Sequence, residues 1–325
     1  MRTLARDMAI HGLLLAALLA LCAASLFVGA VQVPPERLLG SSIFWLRLAR
    51  ILLGVVAGAG LSVAGVIFQA LLRNPLADPY VLGVSSGAGL GAATAIVLGL
   101  GVAGAWTLPG AAFAGALATI LLVYALARTA SGAVPVHTLL LSGVIVSAVL
   151  GSALMFLVST STAEELHSVV WWLLGSLQIF DWSLLKVAAA VVAAGVLVTV
   201  LMARDLNLMT LGEEPAAHLG LHVERTKRLF FLIASLMTGA TVAACGLIGF
   251  VGLIVPHTVR LAVGPDHRRL VPASALVGAM LLVLADAFGR TVMAPVEIPI
   301  GVITAFLGGP FFLVLLRRRK TAFKV

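Results

Sequence analysis

The feature that most constrains this chain is the repetition of long apolar segments. They recur along all 325 residues, of which 61% are hydrophobic and 10% are charged. A soluble domain carries about 25% charged residues, well above the fraction in this chain. About 20 consecutive apolar residues are enough to cross a bilayer. Backbone groups in lipid must be hydrogen-bonded within the protein, so these segments predict α-helices. We therefore expect an all-α, polytopic integral membrane protein rather than a soluble one.

Ten segments have the length and hydropathy of membrane spans. The seventh and eighth are continuous, and the glycine-rich residues 245–257 mark the break between them. The first segment is longer than the apolar region of a signal peptide, so we interpret it as a retained span. No linker divides the chain, which predicts a single transmembrane domain over residues 1–325. The predicted spans are residues 8–31, 48–72, 80–102, 105–127, 137–159, 183–203, 229–250, 251–265, 271–293 and 298–316.

The distribution of Lys and Arg predicts the orientation of these spans. With the N-terminus in the cytoplasm, 16 of the 21 basic residues fall inside and 5 outside, as the positive-inside rule requires. This bias predicts an even number of spans and cytoplasmic N- and C-termini. It also accounts for the net charge of +8 better than nucleic-acid binding does. Two longer connections remain: an external amphipathic loop, 159–183, with a short surface helix, and a cytoplasmic loop, 204–228.

The motifs of nucleotide hydrolysis and zinc chemistry are absent from the sequence. There is no Gly-x-x-x-x-Gly-Lys-Ser/Thr loop and no His-Glu-x-x-His, so no cofactor and no metal site are predicted in this chain. Cys22 and Cys245 lie in apolar runs and are interpreted as small core residues. Ser85 and Ser86 leave open an intramembrane hydrolase, although a close-packed helix start explains "GVSSGAG" better.

Asp286 is the one acidic residue well inside a predicted span. It lies four residues before Arg290, so the two side chains share a helix face and are expected to form an ion pair near the outer end. Proton-coupled transporters keep charge at the middle of the membrane. The sequence therefore favours energy supplied by another subunit over an ion-coupled secondary transporter, which stays the alternative.

The cytoplasmic loop contains "LGEEPAAHLGL", residues 211–221. Glu213 and Glu214 suit the first turn of a short helix because they face the positive end of its dipole, and Gly220 suits its end. Such a helix with a small apolar face could bind in a groove of a partner; the alternative is an ordinary loop. The expected apolar face consists of Ala216, Ala217 and Leu219.

The chain resembles the permease subunits of ABC importers of the iron–siderophore, haem and cobalamin type. "LGEEPAAHLGL" is similar to their coupling segment. Residues 47–93, beginning "RLARILLGVVAGAG", resemble the signature of their second and third spans. Residues 246–290 and the "EIPIGVITAFLGGPFF" of 297–312 are also similar to the family. The likeness covers essentially the whole chain.

The resemblance implies an assembly of several subunits. Two copies would pair around a central pathway in the bacterial cytoplasmic membrane. Two separate ATPase subunits would bind ATP and Mg, and a periplasmic or lipid-anchored binding protein would deliver substrate from outside. The implied ATPase-coupling residues are Leu211, Gly212, Glu213, Ala216, Ala217, His218, Leu219 and Gly220.

In the family, arginines at the positions of Arg47, Arg50 and Arg290 face the binding protein and pair with its glutamates. Arginine suits this task because its guanidinium group binds carboxylates through two parallel hydrogen bonds. The alternative is that the first two extend to lipid headgroups. Relatives often have proline where this chain has Ala49, which leaves the arginine spacing unchanged.

The resemblance also implies where the pathway and its inner gate lie. The pathway would be lined by residues 142–159, 169–174 and 300–307, which are small, apolar or hydroxylated. Ferric siderophores are the expected substrate, with cobalamin and haem as alternatives. The pathway and gate residues are Asn74, Leu76, Pro135, Val136, His137, Thr138, Ser142 and Ser147.

Overall fold

The computed structural model describes residues 2–31, 33–130, 132–178 and 181–322, and these residues contain helices and no strands. The all-α prediction is therefore confirmed. The helices are α1 Arg2–Phe27, α2 Pro35–Leu38, α3 Ser42–Leu71, α4 Val84–Val97, α5 Thr107–Ala127, α6 Val136–Ser159, α7 Ala163–Leu173, α8 Trp182–Leu201, α9 Ala203–Thr210, α10 Glu213–His218, α11 Val223–Cys245, α12 Val251–Val263, α13 His267–Thr291 and α14 Ile300–Ala322.

Seven of the described helices, α1, α3, α5, α6, α8, α11 and α13, are long and apolar enough to cross a membrane. Helices α4, α12 and α14 are apolar over shorter stretches, and all ten fall within or across the predicted segments. α4 has 14 residues and α12 has 13, so each is about 20 Å long, less than the roughly 30 Å hydrocarbon core. The ten-span topology and the location of the termini stay predictions.

Helix α3 lies at the centre of the bundle. It packs against α13, α11, α8 and α12, and 78% of its most apolar window is buried inside the protein. The buried share of the most apolar window is only 11% in α1 and 17% in α6. These two helices therefore present most of their apolar surface outward, which is the arrangement expected where a helix faces lipid or another subunit.

The close packing around α3 depends on glycine pairs. A Cβ atom added to Gly58 would overlap the carbonyl group of Gly278 on α13, and one added to Gly65 would overlap Gly252 on α12. Small residues allow helix backbones to approach in this way, and van der Waals contact then holds the helices together in lipid.

The predicted break between the seventh and eighth spans is confirmed. Helix α11 ends at Cys245 and α12 begins at Val251. Gly246 and Phe250 both have positive φ, +70° and +69°, and a phenylalanine in this region carries strain that packing must offset. Pro256 lies inside α12 rather than at the break.

The two long connections each contain helices. In the loop predicted to be external, α7 begins with a capping box between Thr162 and Glu165, which confirms the short surface helix. The other loop contains α10, as predicted, but also α9, which the sequence analysis did not identify. Helix α11 begins at Val223, six residues before the predicted start at residue 229, so the predicted boundary was wrong there.

We predict that Gly58→Ala destabilises the protein by about 1–3 kcal/mol, because the added methyl group forces α3 and α13 apart. The apparent melting temperature in detergent, measured by fluorescence-detected size exclusion, tests this. Gly151→Ala on α6 is the matched control, since a Cβ there meets no atom within 4 Å. Equal melting temperatures for the two variants would contradict the proposed role of the glycine contact.

Candidate functional site

Helix α10 is a short helix on the surface at one end of the bundle, here called the α10 end. Glu213 and Glu214 occupy its first turn, as predicted. Leu211 and Leu219 flank it and are 60% and 59% exposed. Ala216 is fully buried, so it anchors α10 to the protein instead of joining the exposed apolar face, and the predicted composition of that face needs this correction. The arrangement leaves two leucines available to a partner.

Lys227, in the second turn of α11, holds α10 to the protein. Its ammonium group donates a 3.1 Å hydrogen bond to Glu213 and forms a 2.6 Å ion pair with Glu224. It also donates to the carbonyl oxygen of Val134, at 3.1 Å. Lys227 was not predicted as a site residue, because a lysine near the end of a predicted span is ordinarily solvated.

The residues predicted to form the inner gate lie close to α10. A cavity of about 550 Å³ is lined by Pro135, Val136 and His137 of this set, together with Glu213 and Lys227. Pro135 is the extended residue that precedes α6, and Thr138 follows in its first turn. In the same region, the side chain of Asn74 accepts a 3.0 Å hydrogen bond from the backbone N–H of Leu76.

Ser142 and Ser147 lie on the inward-facing side of α6. Ser142 is buried, and Ser147 donates to the carbonyl oxygen of Gly143, beside the turn that precedes α4. The opposite side of α6 is apolar and exposed. Its large exposed residues are Leu141, Val144, Ile145, Val149, Met155 and Phe156.

A second cavity, of about 570 Å³, lies between α4, α7, α14 and residues 247–250, which precede α12. It brings together two of the three predicted pathway segments, 169–174 and 300–307, through residues such as Leu174 and Phe306. Its lining is mostly apolar and also includes Tyr80, Ser85 and Phe250. Phe250 could have been suspected from the helix break, whereas Tyr80 gave no signal in the sequence.

The three predicted docking arginines come together at the opposite end of the bundle. Arg47 and Arg290 are 7% and 3% exposed. Arg47 donates to the carbonyl oxygens of Leu26 and Val31, and Arg290 donates to that of Val28 at 2.8 Å. The guanidinium groups of these two residues therefore bind the chain segment around the end of α1.

Two carboxylates share the positive charge of this group. Asp286 lies 2.6 Å from Arg50 and 2.9 Å from Arg290, which confirms the ion pair predicted along α13. Glu297 accepts hydrogen bonds from Arg50 at 2.8 Å and from Gln178 at 2.9 Å. We call Arg47, Arg50, Arg290, Asp286 and Glu297 the arginine cluster.

The arginine cluster opens to a cavity of about 310 Å³. Arg50 is the most accessible of its three arginines, with a side chain 14% exposed, and both Gln178 and Glu297 line the same cavity. Partial burial raises the pKa of Glu297, but hydrogen bonds and charge from Arg50 outweigh that effect, so the pKa is lower than usual. The site holds one more guanidinium group than carboxylates and can accept a further anionic group.

Among the described residues, no three His, Cys, Asp or Glu side chains come together as metal ligands would. Cys22 is half-buried and Cys245 is buried, and both are free thiols. Cys245 donates to the carbonyl oxygen of Thr241 within α11.

We predict that Asp286→Asn destabilises the protein by about 3–5 kcal/mol, because it leaves Arg50 and Arg290 without their shared buried counter-ion. Asp7→Asn is the matched control: it breaks the more exposed pair with Arg269 and is expected to cost at most about 1 kcal/mol. Apparent melting temperatures of both variants in detergent measure the difference. A loss in Asp286→Asn no larger than in Asp7→Asn would refute the assignment.

Comparison with known proteins identifies the family to which this chain belongs. A family model described as the FecCD transport family matches residues 17–318. The chain is 40% identical to the hemin transport system permease protein HmuU of Yersinia pestis, over 95% of each chain. It is 49% identical to the cobalamin import system permease protein BtuC of Halobacterium salinarum, over 85% of this chain and 73% of that one.

A solved structure agrees with the sequence relatives. It is described as an inward-facing conformation of a metal-chelate type ABC transporter, and it superposes with a TM-score of 0.86 at 32% identity over 96% of this chain and 99% of that one. The chain therefore belongs to the FecCD transport family, as an ABC transporter permease.

Proposed function

We propose that two copies of this chain form the translocation pathway of an importer in the bacterial cytoplasmic membrane. Each copy crosses the membrane ten times, with both termini in the cytoplasm. Two separate ATPase subunits bind ATP and Mg and drive the cycle, and this chain carries no cofactor. A periplasmic or lipid-anchored binding protein delivers the substrate. The outward-facing apolar surfaces of α1 and α6 suit contact with lipid and with the second copy.

The observation that carries this proposal is the surface helix α10. Exposed leucines on a short helix outside the apolar bundle suit a partner's groove, in which an amphipathic helix buries its apolar side chains. A groove in an ATPase subunit would bury Leu211 and Leu219, while Ala216 keeps α10 attached to the permease. α10 is then the element through which ATP-driven movement reaches the membrane.

The cavity between α4, α7, α14 and residues 247–250 supports a proposal for the substrate class. Its apolar wall, with few polar groups, suits a bulky ligand that passes without tight binding. We infer an iron chelate, a ferric siderophore first of all, with cobalamin and haem as the alternatives. Intrinsic-fluorescence titration of the partner binding protein with each of these ligands distinguishes among them.

Docking of the binding protein is assigned to the cavity of the arginine cluster. The guanidinium groups of Arg47 and Arg290 already donate to backbone carbonyls, so these two residues shape the docking surface. Arg50 is the arginine that a partner's carboxylate would reach. Its guanidinium group would exchange Glu297 for that carboxylate, so the internal pair keeps the arginine extended until docking.

We predict that the double variant Leu211→Ser, Leu219→Ser reduces capture of the ATPase subunits by roughly tenfold or more, since two central apolar contacts are lost. Co-purification with a tagged permease from detergent measures this. Leu201→Ser, which alters a leucine at the end of α8 that is 74% exposed, is the control and should retain capture. Undiminished capture by the double variant would remove α10 from the interface.

We predict that Arg50→Gln weakens binding of the substrate-binding protein to the permease in nanodiscs by roughly tenfold, because a bidentate charged contact is lost. Arg37→Gln, at an exposed arginine of α2, is the control. Melting temperatures of both variants show whether the permease stays folded. If a folded Arg50→Gln variant binds as tightly as the parent, the docking role is wrong.

A further inference from the structure

The ammonium group of Lys227 joins three parts of the chain in a buried position. The residue is 8% exposed, and its three oxygen partners are Glu213, Val134 and Glu224, at 3.1, 3.1 and 2.6 Å. A buried lysine is costly unless its charge is paired and its protons are hydrogen-bonded. Here the three protons of the ammonium group meet three acceptors.

The three acceptors lie on three different elements. Glu213 is in the first turn of α10. Val134 immediately precedes Pro135, the residue that caps α6, and so belongs to the chain entering the proposed gate. Glu224 lies on α11 itself, three residues before Lys227, where it orients the lysine without linking it to another element. The ammonium group of Lys227 therefore links α10 directly to the entry of α6 through two hydrogen bonds.

The surroundings of Lys227 differ on its two sides. On one side is a small apolar space of about 20 Å³, lined by residues that include Tyr124 and Phe231. On the other is the cavity of about 550 Å³ shared by Pro135, His137 and Glu213. The lysine is therefore closely packed against apolar side chains on one side, while the gate residues and α10 border a larger open space on the other.

Helix α11 carries Lys227 and is largely enclosed by other helices. It packs against α3, α8 and α5, and 67% of its apolar window is buried. A charged hydrogen bond tolerates only a few tenths of an ångström before it weakens. A displacement of α10 by about 1 Å would therefore either break the hydrogen bond that Lys227 donates to Glu213 or pull the ammonium group, and with it the carbonyl of Val134.

We propose that Lys227 is a positioning residue that transmits movement of α10 to the gate residues 135–138. The inference rests on the proposed function, because it takes α10 as the docking element of the ATPase subunits and residues 135–138 as the inner gate. What suits this contact to the role is the placement of the buried ammonium group between α10 and the start of α6.

The test measures gate movement directly. In a Cys22→Ser, Cys245→Ala background, Thr138→Cys reports access to the gate through its rate of reaction with a methanethiosulfonate reagent. The permease is reconstituted with its ATPase subunits, and the rate is compared with and without ATP and Mg. In the parent, nucleotide should change the rate roughly tenfold, as expected when one conformation replaces another.

Lys227→Met should abolish this nucleotide response while the ATPase subunits stay bound, because methionine keeps the packed stem and removes the ammonium group. Lys227→Arg retains the charge and should restore part of the response. Glu213→Gln weakens the link from the α10 side without altering the buried lysine, and it should also reduce the response. Asp205→Asn on α9 is the control: among the described residues Asp205 makes no ion pair, and its response should equal the parent's.

The outcomes separate the inference from the proposed function. A parent-like response in folded Lys227→Met, or in Glu213→Gln if the lysine variant fails to fold, would overturn the role of Lys227 and leave the proposed function intact. A parent that neither binds the ATPase subunits nor responds to nucleotide would overturn both.

Discussion

The constraint on which the rest of this structure depends is the absence of water in a hydrocarbon layer. Every backbone N–H and C=O group there must be bonded within the protein, which leaves helices as the main solution for such a chain. Helices in lipid gain little from the hydrophobic effect, so close contact has to hold them together. The pairing of Gly58 with Gly278, and of Gly65 with Gly252, meets that requirement and makes α3 the centre of the bundle.

The scarcity of charge gives each buried ionic group a definite task. At one end, Asp286 and Glu297 hold Arg50 between α3, α13 and the segment before α14. At the other, Lys227 holds α10 beside the start of α6. Both sites join elements that are distant in sequence. Breaking such a site leaves an unpaired charge in a poorly solvated place, so each one fixes a specific arrangement of helices.

Much of the fold could be predicted from the sequence, because span length, the glycine-rich break and the first turn of α10 are local signals. The pair of Asp286 with Arg290 was also local, four residues apart on one helix. The burial of Arg47 was not predictable, since its acceptors are carbonyls 16 and 21 residues away. Likewise, nothing near Lys227 in the sequence indicates a contact with Val134, 93 residues earlier.

Helix α11 connects two regions that the proposed function requires to move, the α10 end and the apolar cavity. It begins near Lys227 and ends at Cys245, whose carbonyl accepts a 2.8 Å hydrogen bond from Ser176. The segment that contains Ser176 also binds α14, through a 3.0 Å hydrogen bond from Gly301 to Leu174. Helices α3, α8 and α5 pack around α11, so the proposed cycle takes it as the stationary element. The proposed displacement of α10 would therefore pass through Lys227 to the entry of α6 first, and only then to the apolar cavity at the far end of α11.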